Sequence, residues 1–219
     1  MIHWIVPLFK KGAVFQPGNY RGIHLTAQIS KAMERFLASM VMTFACLPTN
    51  IGPNQFAYQK SCGARDALAY MVLTWVRGFG RGLKFALYCS DVPWAFDRVS
   101  KRRLTNKLRA KGMRDDMIKV FEAWLAERTA VVVCGGQRGE PIQLKNMIYQ
   151  GIVWGPWLWN LFYEDARSAL LVHDFLEVVF ADDLNAFIAF TLATPNETLG
   201  EAPKACRAEL HAWGKGKPS

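Results

Sequence analysis

The sequence predicts an α+β fold in which an antiparallel sheet is backed by helices. Hydrophobic residues make up 51% of the 219 positions, which is enough for a sizeable core. In the second half of the chain, strand-like and helical patterns follow one another in the order strand, helix, helix, strand, strand. The adjacent carboxylates Asp182 and Asp183 lie between two short apolar runs, a pattern typical of a β-hairpin with acids at its tip.

The predicted elements of the first half follow from apolar periodicity and from Gly and Pro positions. An amphipathic helix is indicated by apolar residues at helical spacing: Ile29, Met33, Phe36, Leu37 and Met40. The glycines at 78, 80 and 82 predict a loop after the next helix. In order, the elements are a strand over 4–9, a turn-rich stretch over 11–21, a helix from Thr26 or Ser30 to about Cys46, a break over 47–53, a helix over 64–77 and a strand near Phe85.

The second half contains three further helices and two hairpins. Gly112 is typical of a helix end. Pro156 is compatible with the first turn of the next helix, because an N–H at that position has no acceptor within the helix. The predicted elements are helices over 99–110 and 113–126, β-rich runs over 129–134 and 142–149 joined as a long hairpin, a helix from Gly155 to about Leu171, the Asp182–Asp183 hairpin and a helix over 196–213.

Charge and composition narrow the classes of partner. The chain has 27 Lys and Arg against 18 Asp and Glu, a net charge of +9, which favours a polyanionic partner such as nucleic acid. The excess is spread over short clusters, each of which alone is equally typical of a solvated surface. Five cysteines lack zinc-site spacing, and no uncharged segment reaches about 18 residues, which argues against a membrane span. We therefore expect an intracellular protein, in the nucleus or the cytoplasm.

Three carboxylates at strand ends indicate metal chemistry. Asp182 and Asp183 repel each other unless a cation screens them, so the pair favours a divalent metal. Asp91 ends the apolar run that begins at Phe85 and supplies a third ligand. Taken alone, an Asp pair in a turn is more often simply solvated. Together the three acids predict metal-assisted phosphoryl transfer.

Six segments in order carry a family resemblance: 7–12, 19–26, 55–68, 90–99, 149–160 and 180–183. They include Asn-Tyr-Arg-Gly at 19–22, Ala-Phe-Asp at 95–97, Tyr-Gln-Gly at 149–151 and Phe-Ala-Asp-Asp at 180–183. In order and spacing they resemble the fingers and palm blocks of the reverse transcriptase of non-LTR (LINE-type) retrotransposons. Each block alone is a weak signal, whereas chance agreement of all six is improbable.

The resemblance implies a right-hand polymerase with fingers over 1–82 and palm over 83–219, the segment 99–135 belonging to their junction and the thumb being absent. It implies an RNA-directed DNA polymerase that uses an RNA template, a DNA primer and deoxynucleoside triphosphates, with Mg²⁺ or alternatively Mn²⁺. We expect thumb and endonuclease regions to belong to a larger polyprotein. An alternative is a catalytically silent, truncated remnant that keeps the fold and binds nucleic acid.

The resemblance also implies residue roles. Phe96 would pack under the sugar and exclude a 2′ hydroxyl, although an ordinary core position is the alternative. Asp97 is better explained as an ion-pair partner, and the lysines are equally typical of a solvated loop. The metal ligands would be Asp91, Asp182 and Asp183, and the nucleotide-binding residues Lys10, Lys11, Arg21, Phe96, Gln150 and Gly151.

Some positions depart from the family pattern. Ile152 stands where members usually have Ser or Thr, which removes a hydroxyl beside the template, and Trp154 replaces Leu. Gly22 stands where many members have Pro, and Pro93 follows the metal-ligand strand. We expect Trp154, Trp157 and Trp159 to line the core or the cleft rather than to stack on bases. The missing thumb and the unusual residues Ile152 and Trp154 of the second palm block favour the silent alternative, and the intact Asp91, Asp182 and Asp183 favour the polymerase.

Overall fold

The computed structural model describes residues 2–90, 96, 99–126, 128–144, 148–149, 151–171 and 174–215. The chain divides into two compact units, each built from two separate segments. Unit 1 comprises residues 1–45 and 94–162, and unit 2 comprises residues 46–93 and 163–219. Both units combine a sheet with helices, so the predicted α+β fold is confirmed.

The secondary structure follows the predicted order closely. A 3₁₀ turn over Pro17–Asn19 lies between the first two strands. The elements are β1 (Ile2–Phe9), β2 (Tyr20–Leu25), α1 (Gln28–Ala45), α2 (Pro48–Ile51), α3 (Ala64–Phe79), β3 (Leu83–Ser90), α4 (Lys101–Ala110), α5 (Asp115–Trp124), β4 (Arg128–Cys134), β5 (Gln137–Leu144), α6 (Gly155–Leu171), β6 (Leu176–Phe180), β7 (Asp183–Thr191) and α7 (Asn196–Gly214).

Within the described part of unit 1, the strands form one sheet in the order β2-β1-β4-β5. The β1 strand is antiparallel to β2 and parallel to β4. The β4–β5 hairpin turns through Gly135 and Gly136, whose φ values of 57° and 79° suit glycine. The α4–α5 pair contributes core side chains that are fully shielded from solvent: Leu104, Leu108, Ile118 and Phe121.

The unit 2 sheet has the order β3-β7-β6 and is antiparallel throughout, as predicted for the palm. The α3 helix covers one face, where Ala67, Val178 and Phe187 form a buried cluster. The ring of Phe85 lies so close to α3 that a Cβ placed on Gly78 would lie 2.3 Å from it. Gly78 is therefore required for packing inside α3, and the prediction that it begins a loop is wrong.

The opposite face of the unit 2 sheet carries an ion pair. Strand alternation places Glu177 on this face, because Val178 points toward α3. The carboxylate of Glu177, on a residue only 1% exposed, accepts a hydrogen bond of 2.7 Å from Nε of Arg167 in α6. The α7 helix also packs against β3 and β7. Helices thus cover both faces of this sheet.

Two strand predictions are incomplete. The β2 strand was not predicted: its first two residues fall in the turn-rich stretch over 11–21, and its other four had no predicted element. Pairing with β1 rather than composition makes this segment a strand. The β5 strand begins at Gln137, not at residue 142, because a tight turn at 135–136 lets Gln137, Arg138 and Pro141 pair with β4. Between Arg138 and Pro141 the register shifts, and residues 137–143 are exposed. Pro141 is tolerated in this edge strand because some backbone N–H groups of an edge strand face solvent and do not pair with another strand.

The apolar face predicted for α1 lies on the solvent side of the helix. Ile29 is 75% exposed and Phe36 63%, whereas the buried positions are Glu34, Ala38, Val41 and Ala45. Small side chains allow close packing, and Glu34 is buried because it binds backbone groups described below. Among the described residues, we find no helix with both the length and the apolarity needed to cross a membrane.

We predict that Arg167→Met lowers the free energy of unfolding by about 3 kcal/mol, because it leaves the buried Glu177 carboxylate without its cation. Urea titration followed by far-ultraviolet circular dichroism measures this loss. The double variant Arg167→Met/Glu177→Leu is the control, and it should regain most of the stability because neither charge remains. A double variant no more stable than Arg167→Met would contradict the role of the ion pair.

Candidate functional site

The Asp pair lies at a two-residue hairpin turn in unit 2. Phe180 pairs with Asp183, so only Ala181 and Asp182 connect β6 to β7. Ala181 has φ = 60°, the left-handed region that alanine rarely occupies, and is 7% exposed. Asp182 is half-buried and Asp183 is exposed. The structure therefore confirms the predicted hairpin and presents two adjacent carboxylates at its tip.

Two helical side chains of unit 2, Tyr163 in α6 and Cys206 in α7, have raised pKa values. Burial raises the pKa of the Tyr163 hydroxyl well above its ordinary value, and the nearby charge of Asp182 raises it further. Burial also raises the pKa of the Cys206 thiol to about 12. The influence of Asp182 on the Tyr163 hydroxyl indicates that the hairpin turn lies near α6.

The donor set at the turn suits a hard divalent cation. Carboxylate oxygens are preferred ligands of Mg²⁺, which completes its shell with water and phosphate oxygens. Asp91, the third predicted ligand, lies outside the described residues, and so does Asp97. In the part of the chain that the structure describes, no group of three or more His, Cys, Asp or Glu side chains is arranged to hold a metal. Asp182 and Asp183 fit the ion, as two of its ligands.

The β1–β2 hairpin of unit 1 collects the predicted triphosphate-binding residues. Leu8 pairs with Arg21, and the backbone N–H of Lys10 donates to the Asn19 carbonyl at 2.8 Å. Lys10, Lys11 and Arg21 thus lie near one end of the hairpin, and all three are exposed. In the sequence Arg21 lies ten residues after Lys11. The pairing of β1 with β2 brings Arg21 and the two lysines to the same end of the hairpin.

The Gln-Gly segment of unit 1 is fixed by close backbone contacts. Gln150 lies outside the described residues. Gly151 has φ = 101°, and a Cβ placed on it would lie 3.0 Å from the carbonyl oxygen of His24 in β2. Both the conformation and the lack of space require glycine there. A contact within the protein, with the His24 carbonyl, is therefore enough to require glycine at this position.

Glu34 holds the residues that follow Gly151. Its Oε2 accepts a hydrogen bond of 2.7 Å from the Val153 N–H, and its carbonyl accepts one of 2.6 Å from the Trp154 indole. Burial raises the pKa of Glu34, and the Val153 N–H bond offsets part of that rise. Ile152, the departure that weighed against activity, is 5% exposed and packs as a core residue. The sequence places Glu34 in the helix that follows the fingers blocks but predicts no role for it, because a charged residue inside a helix gives no sign that it is buried.

A buried aromatic cluster supports the same segment. His3 Nε2 and His24 Nδ1 lie 3.0 Å apart, and the Tyr149 ring centroid is 5.1 Å from that of His3 and 5.2 Å from that of His24. Burial lowers the pKa of both histidines, that of His24 to about 4. His3 and His24 come together only because β1 pairs with β2 in this register, so the sequence did not predict their contact.

Phe96 and the tryptophans lie among aromatic neighbours in unit 1. The Phe96 ring centroid is 5.4 Å from that of Trp159, and the Phe96 carbonyl accepts a hydrogen bond of 2.9 Å from the Ile148 N–H. Phe96 itself is half-buried. Trp154, Trp157 and Trp159 are at most 6% exposed, which confirms that they belong to the core.

Comparisons with known proteins agree on family and fold. A family model described as Reverse transcriptase (RNA-dependent DNA polymerase) matches residues 9–215. No curated protein matches the sequence significantly. Among solved structures, apo telomerase from Candida tropicalis truncated from its C-terminal domain is similar with a TM-score of 0.64 and 14% identity, covering 97% of this chain and 48% of that chain.

Two further telomerase structures show the same likeness. Apo telomerase from Candida tropicalis has a TM-score of 0.62 and 13% identity, with 97% of this chain and 42% of that chain covered. Telomerase from Candida albicans in complex with a TWJ fragment of telomeric RNA has a TM-score of 0.61 and 12% identity, with 97% and 40% covered. The chain spans less than half the length of these structures, and the likeness confirms the predicted fingers-palm fold class.

We predict that stability falls as the pH drops below about 6.5, because the unfolded chain binds protons that the buried His3–His24 pair excludes. With the pKa of His24 lowered to about 4, the loss between pH 7.5 and pH 5 should be on the order of 1 to 2 kcal/mol. Urea unfolding of wild type and His24→Gln at both pH values measures it, and the variant should show the smaller pH effect. His211→Gln, at an exposed histidine, is the control and should behave as wild type. Equal pH dependence in wild type and His24→Gln would contradict this account.

Proposed function

Because this chain belongs to the reverse transcriptase (RNA-dependent DNA polymerase) family, we propose that it is the polymerase module of a non-LTR retrotransposon. It would add deoxynucleotides to a DNA primer along an RNA template. In this assignment residues 1–82 form the fingers and residues 83–219 the palm, with 99–135 at their junction. The remaining parts of a larger polyprotein would supply further domains.

The observation that carries the proposal is the acidic hairpin of unit 2. Asp182 and Asp183 lie at a tight turn in which the N–H and the carbonyl of Ala181 are both hydrogen-bonded to a side chain. The β3 strand ends at Ser90, which pairs with Leu184, the residue after Asp183. Asp91 follows Ser90 in the chain and is assigned as the third ligand by its place in the family block. Three carboxylates suit two-metal nucleotidyl transfer.

Each proposed residue has a distinct task. Asp182 and Asp183, with Asp91, would hold Mg²⁺, which when bound lowers the pKa of a primer hydroxyl and neutralises phosphate charge. Lys10, Lys11 and Arg21 would bind triphosphate oxygens; Arg21 is suited to bidentate contacts and the lysines act as point charges. Phe96 would exclude the ribose 2′ hydroxyl, and Gln150 and Gly151 would contact the nascent base pair.

The net charge of +9 supports a polyanionic partner. Template and primer both carry one negative charge per nucleotide, so binding should weaken with salt. A catalytically silent remnant would share this behaviour, because the basic surface does not depend on the acidic hairpin. Primer extension therefore distinguishes the two functions, and binding alone does not.

We predict that the whole chain extends a DNA primer on an RNA template with Mg²⁺ or Mn²⁺, and that Asp182→Asn lowers the rate at least ~100-fold, since a metal ligand contributes several kcal/mol. Gel-resolved extension at several metal concentrations measures the loss. Asp174→Asn is the matched control: it makes the same change at an exposed residue with φ = 57°, a conformation that Asn tolerates well.

Two results would count against the polymerase proposal. One is extension by Asp182→Asn at the wild-type rate. The other is no extension by the wild-type chain while salt-sensitive binding of the primer-template persists unchanged in Asp182→Asn, which would establish the silent nucleic-acid-binding alternative.

We predict that Phe96→Val increases the use of ribonucleoside triphosphates relative to deoxynucleoside triphosphates by about tenfold or more, because a smaller side chain leaves room for the 2′ hydroxyl. The ratio of kcat/KM values for the two substrates measures this. Phe96→Tyr keeps the ring against Trp159 and should retain wild-type selectivity. If Phe96 is only a core residue, Phe96→Val should lower the melting temperature and leave the substrate ratio unchanged.

A further inference from the structure

Residues 54–56 extend the unit 2 sheet beyond β6. The Phe56 N–H donates to the Val179 carbonyl and the Val179 N–H donates to the Asn54 carbonyl, both at 2.9 Å. Gln55 and Val179 form the corresponding parallel bridge. This edge segment, residues 54–56, therefore runs beside β6 two residues before the turn that carries the Asp pair.

The backbone of the edge segment pairs with Val179 of β6, and the side chain of Gln55 binds the next turn residue, Ala181. Its Oε1 accepts hydrogen bonds from the N–H groups of Ala181, at 3.1 Å, and Ala57, at 3.0 Å. Its Nε2 donates to the Ala181 carbonyl at 3.4 Å. Gln55 is 5% exposed, so these bonds are shielded from water. A primary amide, with one acceptor and one donor group, thus acts as a peptide unit opposite Ala181.

This contact falls on the strained residue of the hairpin. Ala181 has φ = 60°, a conformation that costs an alanine on the order of 1 kcal/mol and persists only where its surroundings fix it. Both backbone polar groups of Ala181 bind the same Gln55 amide. The conformation of Ala181 sets the direction of the next residues, Asp182 and Asp183.

We propose that Gln55 is a positioning residue, which sets the geometry of the two turn carboxylates toward a divalent cation by fixing Ala181. The inference rests on the proposed function of Asp182 and Asp183. It extends that function to a side chain about 125 residues earlier in the chain. Glutamine is the side chain that meets both needs, because leucine offers no polar atom and glutamate offers no donor.

The first measurement needs neither metal nor nucleic acid. Amide hydrogen exchange of the whole chain, resolved by NMR or by fragment mass spectrometry, reports on the Ala181 N–H that Gln55 holds. We expect Gln55→Leu to increase exchange at Ala181 by at least about tenfold, because the Ala181 N–H loses its acceptor. Gln55→Glu keeps the acceptor and should retain the protection. Asn54→Ala, which removes a neighbouring amide that contacts Glu177 instead, is the matched control.

The second measurement is the Mg²⁺ concentration that gives half-maximal primer extension. Loss of a group that orients a metal ligand costs about 10- to 100-fold in metal affinity or activity. We expect Gln55→Leu to raise this midpoint about tenfold or more, and Asn54→Ala to leave it unchanged. Gln55→Glu keeps the acceptor but loses the donor to the Ala181 carbonyl, so its midpoint should lie between those of wild type and Gln55→Leu.

The outcomes separate the two proposals. Wild-type exchange at Ala181 and a wild-type Mg²⁺ midpoint in Gln55→Leu would overturn the role of Gln55 while leaving the polymerase proposal intact. Extension that survives Asp182→Asn, or is missing from wild type, would overturn the polymerase proposal, and exchange at Ala181 would then decide whether Gln55 fixes the turn. If Gln55→Leu does not fold, Gln55→Glu decides: lost protection at Ala181 despite a native melting temperature would contradict the proposal.

Discussion

The need to pair buried backbone groups is the constraint on which the candidate site depends. Irregular segments that lie inside a protein cannot leave N–H and C=O groups without partners. In unit 2 the Ala181 turn obtains its partner from Gln55, and in unit 1 the Val153 N–H obtains its partner from Glu34. In both units a buried polar side chain from a distant segment replaces the missing strand or helix partner. The functional segments are held by these contacts rather than by regular secondary structure.

Packing explains residues that would otherwise look out of place. A helical glycine normally weakens a helix, yet Gly78 lets α3 approach the Phe85 ring, whose neighbour Phe187 forms the sheet core. The tryptophans of α6 and the segment before it fill unit 1, where Trp154 packs against Phe121 and Trp124. Aromatic residues that could have bound bases are used to build the core.

The candidate site residues of the two units carry opposite charges: acidic in unit 2 and basic in unit 1. Unit 2 presents the Asp182 and Asp183 carboxylates at the tip of the β6–β7 hairpin, and carboxylate oxygens suit a divalent cation. Unit 1 presents Lys10, Lys11 and Arg21 on one exposed hairpin, which suits phosphate oxygens. An enzyme that joins nucleotides needs both a site for cations and a site for phosphate charge. In the proposed function the acidic hairpin would bind the cation and the basic hairpin would bind phosphate oxygens.

Local patterns in the sequence determined the elements whose signals are local. The limits of α6 were predicted correctly from Gly155-Pro156 and its apolar run, and the acidic hairpin from two apolar strands around two acids. Tertiary structure alone decided the β2 strand, the buried face of α1, and the pairing of His3 with His24. Each of these depends on which distant segment lies alongside, and strand register and helix rotation are set by such long-range contacts. For the same reason the sequence did not predict that Gln55 binds the hairpin turn. That contact exists only because the fold places the Gln55 amide beside Ala181.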